Sequence, residues 1–188
     1  TPLWIPGVIG NALDFQTNRP CGLNLATNTS PGNGAFTVTF WIRPQGASSG
    51  TIIFDSDQDH MGFWIYLGVD GGDIEFNVIS SGSFPWLQVL TSAGTLPTNT
   101  WKFIVCLWDG TSLNAAASTH IYIDAVEAVY IGQTNGSGVH TANTGNLRFI
   151  GKGPDISQIN AHLDDVRVYN RALTLPEIQM LFLWRGEP

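Results

Sequence analysis

The sequence predicts an all-β protein in which two antiparallel sheets pack face to face, with one short helix near the C-terminus. About a dozen short apolar runs, separated by turns rich in Gly, Pro and Asn, read as strands. Only 12% of the residues are charged, too few to cover the outer faces of long amphipathic helices. A chain of 188 residues suits one undivided β domain, so we expect a single domain over residues 1–188.

The first half of the chain shows the clearest alternation between apolar and polar positions. Residues 36–43 alternate strictly and Pro44 ends the run. The apolar face of this strand is formed by Phe36, Val38, Phe40 and Ile42. Further strands are predicted at residues 51–54, 62–69 and 74–79, with residues 70–73 as a hairpin turn between the last two.

The second half continues the pattern and ends in a helix. Strands are predicted at residues 86–90, 100–108, 120–124, 129–132 and 147–151. A last strand from residue 163 runs into a tight turn and a T-x-x-E capping box formed by Thr174 and Glu177. In such a box the Thr174 hydroxyl accepts from the Glu177 amide, and the Glu177 carboxylate accepts from the Thr174 amide.

Residues 163–178, with the sequence LDDVRVYNRALTLPEI, resemble the C-terminal signature of laminin G-like jelly-roll domains in the concanavalin A-like lectin/glucanase superfamily. Other segments resemble that family in the same order: residues 10–15, 36–44, 101–105 and 121–124. The resemblance implies a jelly roll that acts as a recognition module, with glycans as the expected ligands. Two turns depart from the family pattern, since Gln16-Thr17 stands where Asp-Gly is frequent and Ala125 replaces a glycine.

Charge and apolar patterning exclude several classes of partner. The net charge is −7 and the chain has only two lysines, Lys102 and Lys152, so the basic stripe needed for nucleic acid is missing and an anionic membrane is disfavoured. No apolar run approaches the roughly 20 residues that span a bilayer. The chain opens on Thr1 rather than Met, and we expect a processed protein, or a domain of a longer one, that is extracellular or displayed on a virion or cell surface.

Two cysteines are present, Cys21 and Cys106. A disulfide between them is one alternative. Cys106 lies inside an apolar strand, where a small thiol packs well. We therefore favour free cysteines, although sequence alone does not establish pairing.

Aromatic side chains on a sheet face are well suited to bind sugars, because the C–H-rich face of a pyranose stacks on an aromatic ring. Trp64 and Tyr66 lie on one face of their strand, opposite Phe63, Ile65 and Leu67, so one of the two sets points away from the core. The predicted carbohydrate-binding residues are Trp64, Tyr66, Asp59, His60, Trp86 and Trp108. The alternative is core packing, which we favour for Trp86 and Trp108, while Asp59 and His60 belong to an acidic loop that is otherwise simply solvated.

The resemblance also implies a structural calcium between the loop after the first strand and the last strand. The corresponding ligands are Asp164 and the backbone carbonyls around Gln16 and Asn18. Carboxylate and carbonyl oxygens are the ligands that calcium prefers. The alternative for Asp164 is an ion pair with Arg167 or hydrogen bonds within a turn.

Catalysis is not expected. Retaining glycosidases need two carboxylates about 5.5 Å apart, and the strand containing Asp73 and Glu75 has Gly71 where related glucanases carry their nucleophile. We interpret the chain as a non-catalytic carbohydrate-binding, lectin-like recognition or adhesion module. The alternative is a structural or assembly domain of a viral or cell-surface particle that binds protein partners. A degenerate hydrolase is a third reading, and it would require two carboxylates that face each other across a cleft.

Overall fold

The protein was analysed as a computed structural model, which describes residues 3–15, 22–24, 34–46, 51–55, 62–68, 72–79, 86–140, 149–151 and 159–184. Within these ranges there are fourteen strands and two helices. The first seven strands are β1 Leu3–Pro6, β2 Asn11–Phe15, β3 Leu23–Asn24, β4 Phe36–Pro44, β5 Thr51–Asp55, β6 Phe63–Leu67 and β7 Ile74–Val78. The remaining elements are β8 Leu87–Thr91, β9 Lys102–Trp108, α1 Ala115–Ser118, β10 Thr119–Ile123, β11 Val126–Glu127, β12 Tyr130–Thr134, β13 Phe149–Ile150, β14 Ala161–Tyr169 and α2 Leu175–Leu183.

The strands form two seven-stranded antiparallel sheets that pack into a jelly-roll sandwich, as predicted. The first sheet has the order β1-β2-β14-β4-β9-β10-β11 and the second the order β12-β8-β7-β6-β5-β13-β3. The single helical turn α1 and the edge strand β1 are not in the sequence prediction. Both are shorter than the window over which a periodic pattern is recognised.

The core lies between the two sheets and is built largely from aromatic rings. The alternating residues of β4 predicted to face inward are all fully buried. Phe36 on β4 lies 4.9 Å, ring to ring, from Phe63 on β6, and Phe40 lies 5.0 Å from Phe54 on β5. These contacts join one sheet to the other, and each fully buried side chain contributes about 1.5–3 kcal/mol.

The helix α2 covers the outer face of the first sheet. Trp41, on the face of β4 opposite Phe40, stacks on Phe182 of α2 at 5.8 Å, and Phe103 of β9 approaches the same ring at 6.1 Å. The helix begins with the predicted capping box, in which the Glu177 carboxylate accepts from the Thr174 amide at 2.8 Å. This packing buries both faces of β4.

Cys106 is a buried, free thiol on β9, and its burial raises the pKa of the thiol above its ordinary value. Cys21 lies outside the described residues. In the part of the chain that the structure describes, no helix is long and apolar enough to span a membrane.

The turn between β10 and β11 contains the departure from the family pattern at Ala125. Asp124 and Ala125 both have positive φ, at 53° and 63°, which is the conformation of a two-residue hairpin of type I′. The Asp124 carboxylate supports the turn, since it accepts from the Phe103 amide at 3.0 Å and from Lys102 Nζ at 2.6 Å. Ala125 therefore occupies a backbone conformation that favours glycine.

Replacing Ala125 by glycine is expected to stabilise the protein by about 0.5–1 kcal/mol. Relief of left-handed strain contributes about 1–2 kcal/mol, offset by the larger conformational entropy of glycine in the unfolded chain. Urea unfolding monitored by tryptophan fluorescence measures the change. Ala172→Gly is the matched control, because Ala172 has no positive φ and its replacement should destabilise the protein.

Candidate functional site

The outer face of the second sheet carries aromatic and polar side chains in two neighbouring cross-strand rows. Strand pairing aligns Trp64 of β6 with Asn77 of β7, and Asn77 with Gln88 of β8. In the next row Tyr66 is opposite Glu75, and Glu75 is opposite Leu90. Directly paired residues point to the same face of a sheet. These six side chains therefore converge on one surface, and together with Trp86, just before β8, they form what we call the outer-face site.

The aromatic part of the outer-face site is a three-ring cluster that includes Trp86, just before β8. The Trp64 and Trp86 rings lie 4.7 Å apart at 90°, and Tyr66 meets Trp64 edge-on at 6.1 Å. All three are half-buried, so each ring keeps part of its surface open to solvent. Phe63, Ile65 and Leu67 face the core. Trp64 and Tyr66 are therefore the set that points away from the core, which the sequence alone did not establish.

The polar part is a closed ring of hydrogen bonds among three side chains. Glu75 Oε1 accepts from Asn77 Nδ2 at 2.8 Å and from Gln88 Nε2 at 2.8 Å. Gln88 Nε2 also donates to Asn77 Oδ1 at 3.2 Å. Asn77 is only 2% exposed, whereas Glu75 and Gln88 are half-buried. The ring holds Glu75 and Gln88 in fixed orientations at the surface.

This arrangement combines the two kinds of contact that sugars require. Exposed ring surface can stack on the apolar face of a pyranose, and a fixed carboxylate and amide beside it can bind hydroxyl groups. Sequence reasoning did not select Asn77 or Gln88, and it considered Glu75 only as a catalytic residue. The alternation of Glu75 and Asn77 with the buried Ile74, Phe76 and Val78 was the signal available, but the pairing with Gln88 depends on strand register.

The structure does not bring Trp108 to the outer-face site. Trp108 is 3% exposed, and its ring packs against Phe36 at 6.0 Å in the core. Its indole Nε1 donates to the Ser112 carbonyl at 2.8 Å. One edge of its ring borders a cavity of about 350 Å³ that is also lined by His140. Trp108 is therefore a core residue, as the core-packing alternative predicts.

Asp59 and His60 lie outside the described residues, and their predicted role stays a prediction. The strand that precedes them is described, and the backbone of Asp55 at its end pairs with Trp64.

Asp164, the predicted calcium ligand, is buried among backbone amides. Its Oδ2 accepts from the amides of Val8 and Ile9 at 2.7 and 2.8 Å, and its Oδ1 accepts from the Asp165 amide at 2.8 Å. The partner of Arg167 is Asp165, at 2.8 Å. Of the two alternatives to a metal site, Asp164 thus makes the hydrogen bonds within a turn and not the ion pair with Arg167.

The described hydrogen bonds of Asp164 all come from backbone amides. No group of three or more metal-binding side chains occurs among the residues in the described ranges. The other two predicted ligands, Gln16 and Asn18, lie outside these ranges, so the calcium prediction itself stays untested.

The outer face of the first sheet contains a second polar row. Asp14, His162 and Arg43 are aligned across β2, β14 and β4. Arg43 Nε donates to His162 Nδ1 at 3.0 Å, and His162 Nε2 lies 3.1 Å from Asp14 Oδ1. The proton of the neutral imidazole is therefore on Nε2. Burial, followed by the Arg43 charge, lowers the pKa of His162 against the opposing effect of Asp14, and the row links three strands of the sheet.

Comparison with known proteins agrees with this fold. The binding domain of Paraclostridial Mosquitocidal Protein 1 has a TM-score of 0.72 at 18% identity, covering 96% of this chain and 45% of that one. Domain 4 of the GH43 extracellular arabinanase AbnA from Geobacillus stearothermophilus, solved with arabinotriose, has a TM-score of 0.59 at 20% identity, covering 96% and 81%. A heptameric pentraxin from Limulus polyphemus has a TM-score of 0.62 at 17% identity, covering 90% and 80%.

At these identities the likeness shows the fold alone, and the chain spans less than half of the toxin binding domain. Comparison with curated protein sequences gives no match. A laminin G-type family model, described as the concanavalin A-like lectin/glucanases superfamily, matches residues 21–179. The match covers most of the sequence and agrees with the two-sheet topology. The chain belongs to the concanavalin A-like lectin/glucanase superfamily, as a laminin G-like domain.

Proposed function

We propose that the protein is a non-catalytic glycan-binding module and that the outer-face site holds the sugar. The observation that carries the proposal is the half-exposed aromatic cluster of Trp64, Tyr66 and Trp86 beside the fixed carboxylate of Glu75. The arabinotriose in the arabinanase domain of the same fold supports the choice of ligand class. Such a module acts outside the cell or on a surface, where glycans are displayed.

The carboxylates near the site favour binding over hydrolysis. Asp73, just before β7, and Glu75, within it, are two residues apart and lie on the same side of the sheet. A retaining glycosidase needs two carboxylates on opposite sides of the scissile bond. Glu75 also accepts two amide hydrogen bonds on one oxygen, so the carboxylate is held within the polar ring of the site.

Replacing Trp64 by alanine is expected to weaken glycan binding by about 1–3 kcal/mol, the scale of one stacked aromatic ring. The measurement is a glycan array followed by titration calorimetry on the sugars that bind, in calcium and in a chelator. We also propose a structural calcium held by Asp164 and the carbonyls around Gln16 and Asn18, and binding lost only under chelation would support it.

Trp4→Ala is the matched control for this variant. Trp4 is 61% exposed on β1 of the first sheet, so the replacement removes an equally large ring far from the outer-face site. Unfolding curves for both variants establish that they are folded. Equal binding by Trp64→Ala and wild type would show that the sugar does not lie on this face.

Protein assembly is the second candidate function, and the exposed surface of α2 favours it. Met180 and Leu183 are largely exposed there, next to a cavity of about 350 Å³ between α2 and β14. Exposed apolar patches mark interaction surfaces. A stable oligomer in sedimentation analysis, disrupted by Met180→Glu and accompanied by no glycan binding, would support this function instead.

A further inference from the structure

We propose that the outer-face site selects uncharged glycans and rejects acidic ones, with Glu75 as the residue that determines this specificity. The inference rests on the proposed function and adds the class of sugar. It follows from the position of Glu75, from the second carboxylate beside it and from the distribution of cations over the two sheets.

Glu75 presents one oxygen to the ligand side. Both amide donors reach Oε1, and Oε2 accepts no hydrogen bond from any residue that the structure describes. Because Asn77 and Gln88 fix the carboxylate, Oε2 is pre-oriented to accept from a sugar hydroxyl. A hydrogen bond to an ionised carboxylate is stronger than one between neutral groups. The same charge repels a carboxylate, sulfate or phosphate on a sugar placed at this position.

Asp73 adds a second negative charge to this face. It lies opposite Gly68, whose amide donates to the Asp73 carbonyl at 3.0 Å. A side chain at Gly68 would collide with the Asp73 carboxylate, so the glycine makes room for the acid. Asp73 lies just before β7 and is buried, so Asp73 and Glu75 place two carboxylates on this side of the second sheet.

The cations lie elsewhere in the described part of the molecule. Arg43 and Lys102 belong to the first sheet, while Arg167 and Arg171 flank α2. Three of the four form short ion pairs: Lys102 with Asp124 at 2.6 Å, Arg167 with Asp165 at 2.8 Å and Arg171 with Glu177 at 2.7 Å. None of the described Lys or Arg residues belongs to strands β5 to β8, so an acidic sugar on the outer-face site meets the Glu75 carboxylate without a compensating cation from these strands.

The test is an array that carries neutral arabinan, galactan and glucan oligosaccharides beside polygalacturonate and sulfated oligosaccharides. Wild type, Trp64→Ala, Glu75→Gln and Glu127→Gln are compared at about 0.01 M and about 1 M salt, where the screening lengths are about 30 and 3 Å. Glu127→Gln is the control, because it removes one negative charge from β11 in the first sheet. We expect wild type to bind neutral members only.

Glu75→Gln should raise binding of the acidic members by about tenfold at low salt, the effect of one charge at contact range, and weaken binding of the neutral ones. High salt should raise acidic binding by wild type and leave neutral binding unchanged. Equal Trp64-dependent binding of neutral and acidic members by wild type would overturn the charge selection and leave the glycan function standing. Absence of any Trp64-dependent binding would overturn the proposed function and this inference with it.

Discussion

Replacing Asp164 by alanine should lower the free energy of unfolding by about 3–5 kcal/mol. The carboxylate accepts from the amides of Val8, Ile9 and Asp165 and ties the β1–β2 turn to β14. Its removal leaves three amides without their acceptor in a region where Asp164 is 6% exposed, and each unsatisfied donor costs about 1–3 kcal/mol, partly recovered by water. That loss is a large fraction of the stability of a typical domain.

Guanidinium unfolding of wild type and Asp164→Ala measures the effect. Asp109→Ala is the control, since Asp109 accepts only within its own turn, from Thr111, and its loss should cost about 1 kcal/mol. Gly7→Ala tests the same contact from the other side, because a Cβ there would lie 2.8 Å from Asp164 Cγ. If Asp164 serves only the amides, calcium and chelator give the same loss, whereas a calcium-dependent loss would support the metal prediction. A loss no larger than that of Asp109→Ala would contradict the structural role.

Replacing Ile178 by alanine should cost about 2–5 kcal/mol, the range for a buried isoleucine. Ile178 is the one fully buried residue of α2, and it packs with Trp41 and Phe103 on the first sheet. Its truncation leaves a cavity beneath the helix, so α2 is expected to detach before the sandwich unfolds.

Chemical denaturation gives the total loss for Ile178→Ala, and amide hydrogen exchange across α2 reports its detachment. Met180→Ala is the control on the same helix, because Met180 is 65% exposed and should change stability by less than about 0.5 kcal/mol. Unchanged exchange in α2 for Ile178→Ala would mean that the helix is held by Phe182 and its neighbours instead.

The residues of the outer-face site come from three strands and from Trp86 just before β8, so most of their contacts join residues that are far apart in the sequence. Trp64 and Tyr66 were identified because they alternate with Phe63 and Ile65 within one strand. Gln88 joins Glu75 only through the pairing of β7 with β8, and Trp86 meets Trp64 across the intervening strand. A shift of one residue in either pairing would send these side chains to the opposite face.

Trp108, a binding candidate for which core packing was favoured, lies in the core. Its strand position does not distinguish the core from the surface, because β9 is buried on both of its faces and loses the alternation that marks an exposed side. The helix α2 causes this double burial, through contacts with Phe103 and Val105. The sequence of β9 contains no trace of which element covers it.

The amino-acid sequence by itself determined the all-β class, the inward face of β4, the capping box of α2 and the superfamily. These features depend on patterns of period two, on turn chemistry and on short motifs, which are local properties of the chain. The tertiary structure decided which face of β6 is outside, which polar groups join the tryptophans and what surrounds Asp164. Each of these depends on strand register and on contacts between residues far apart in the chain, such as Val8 and Asp164, which local patterns do not specify.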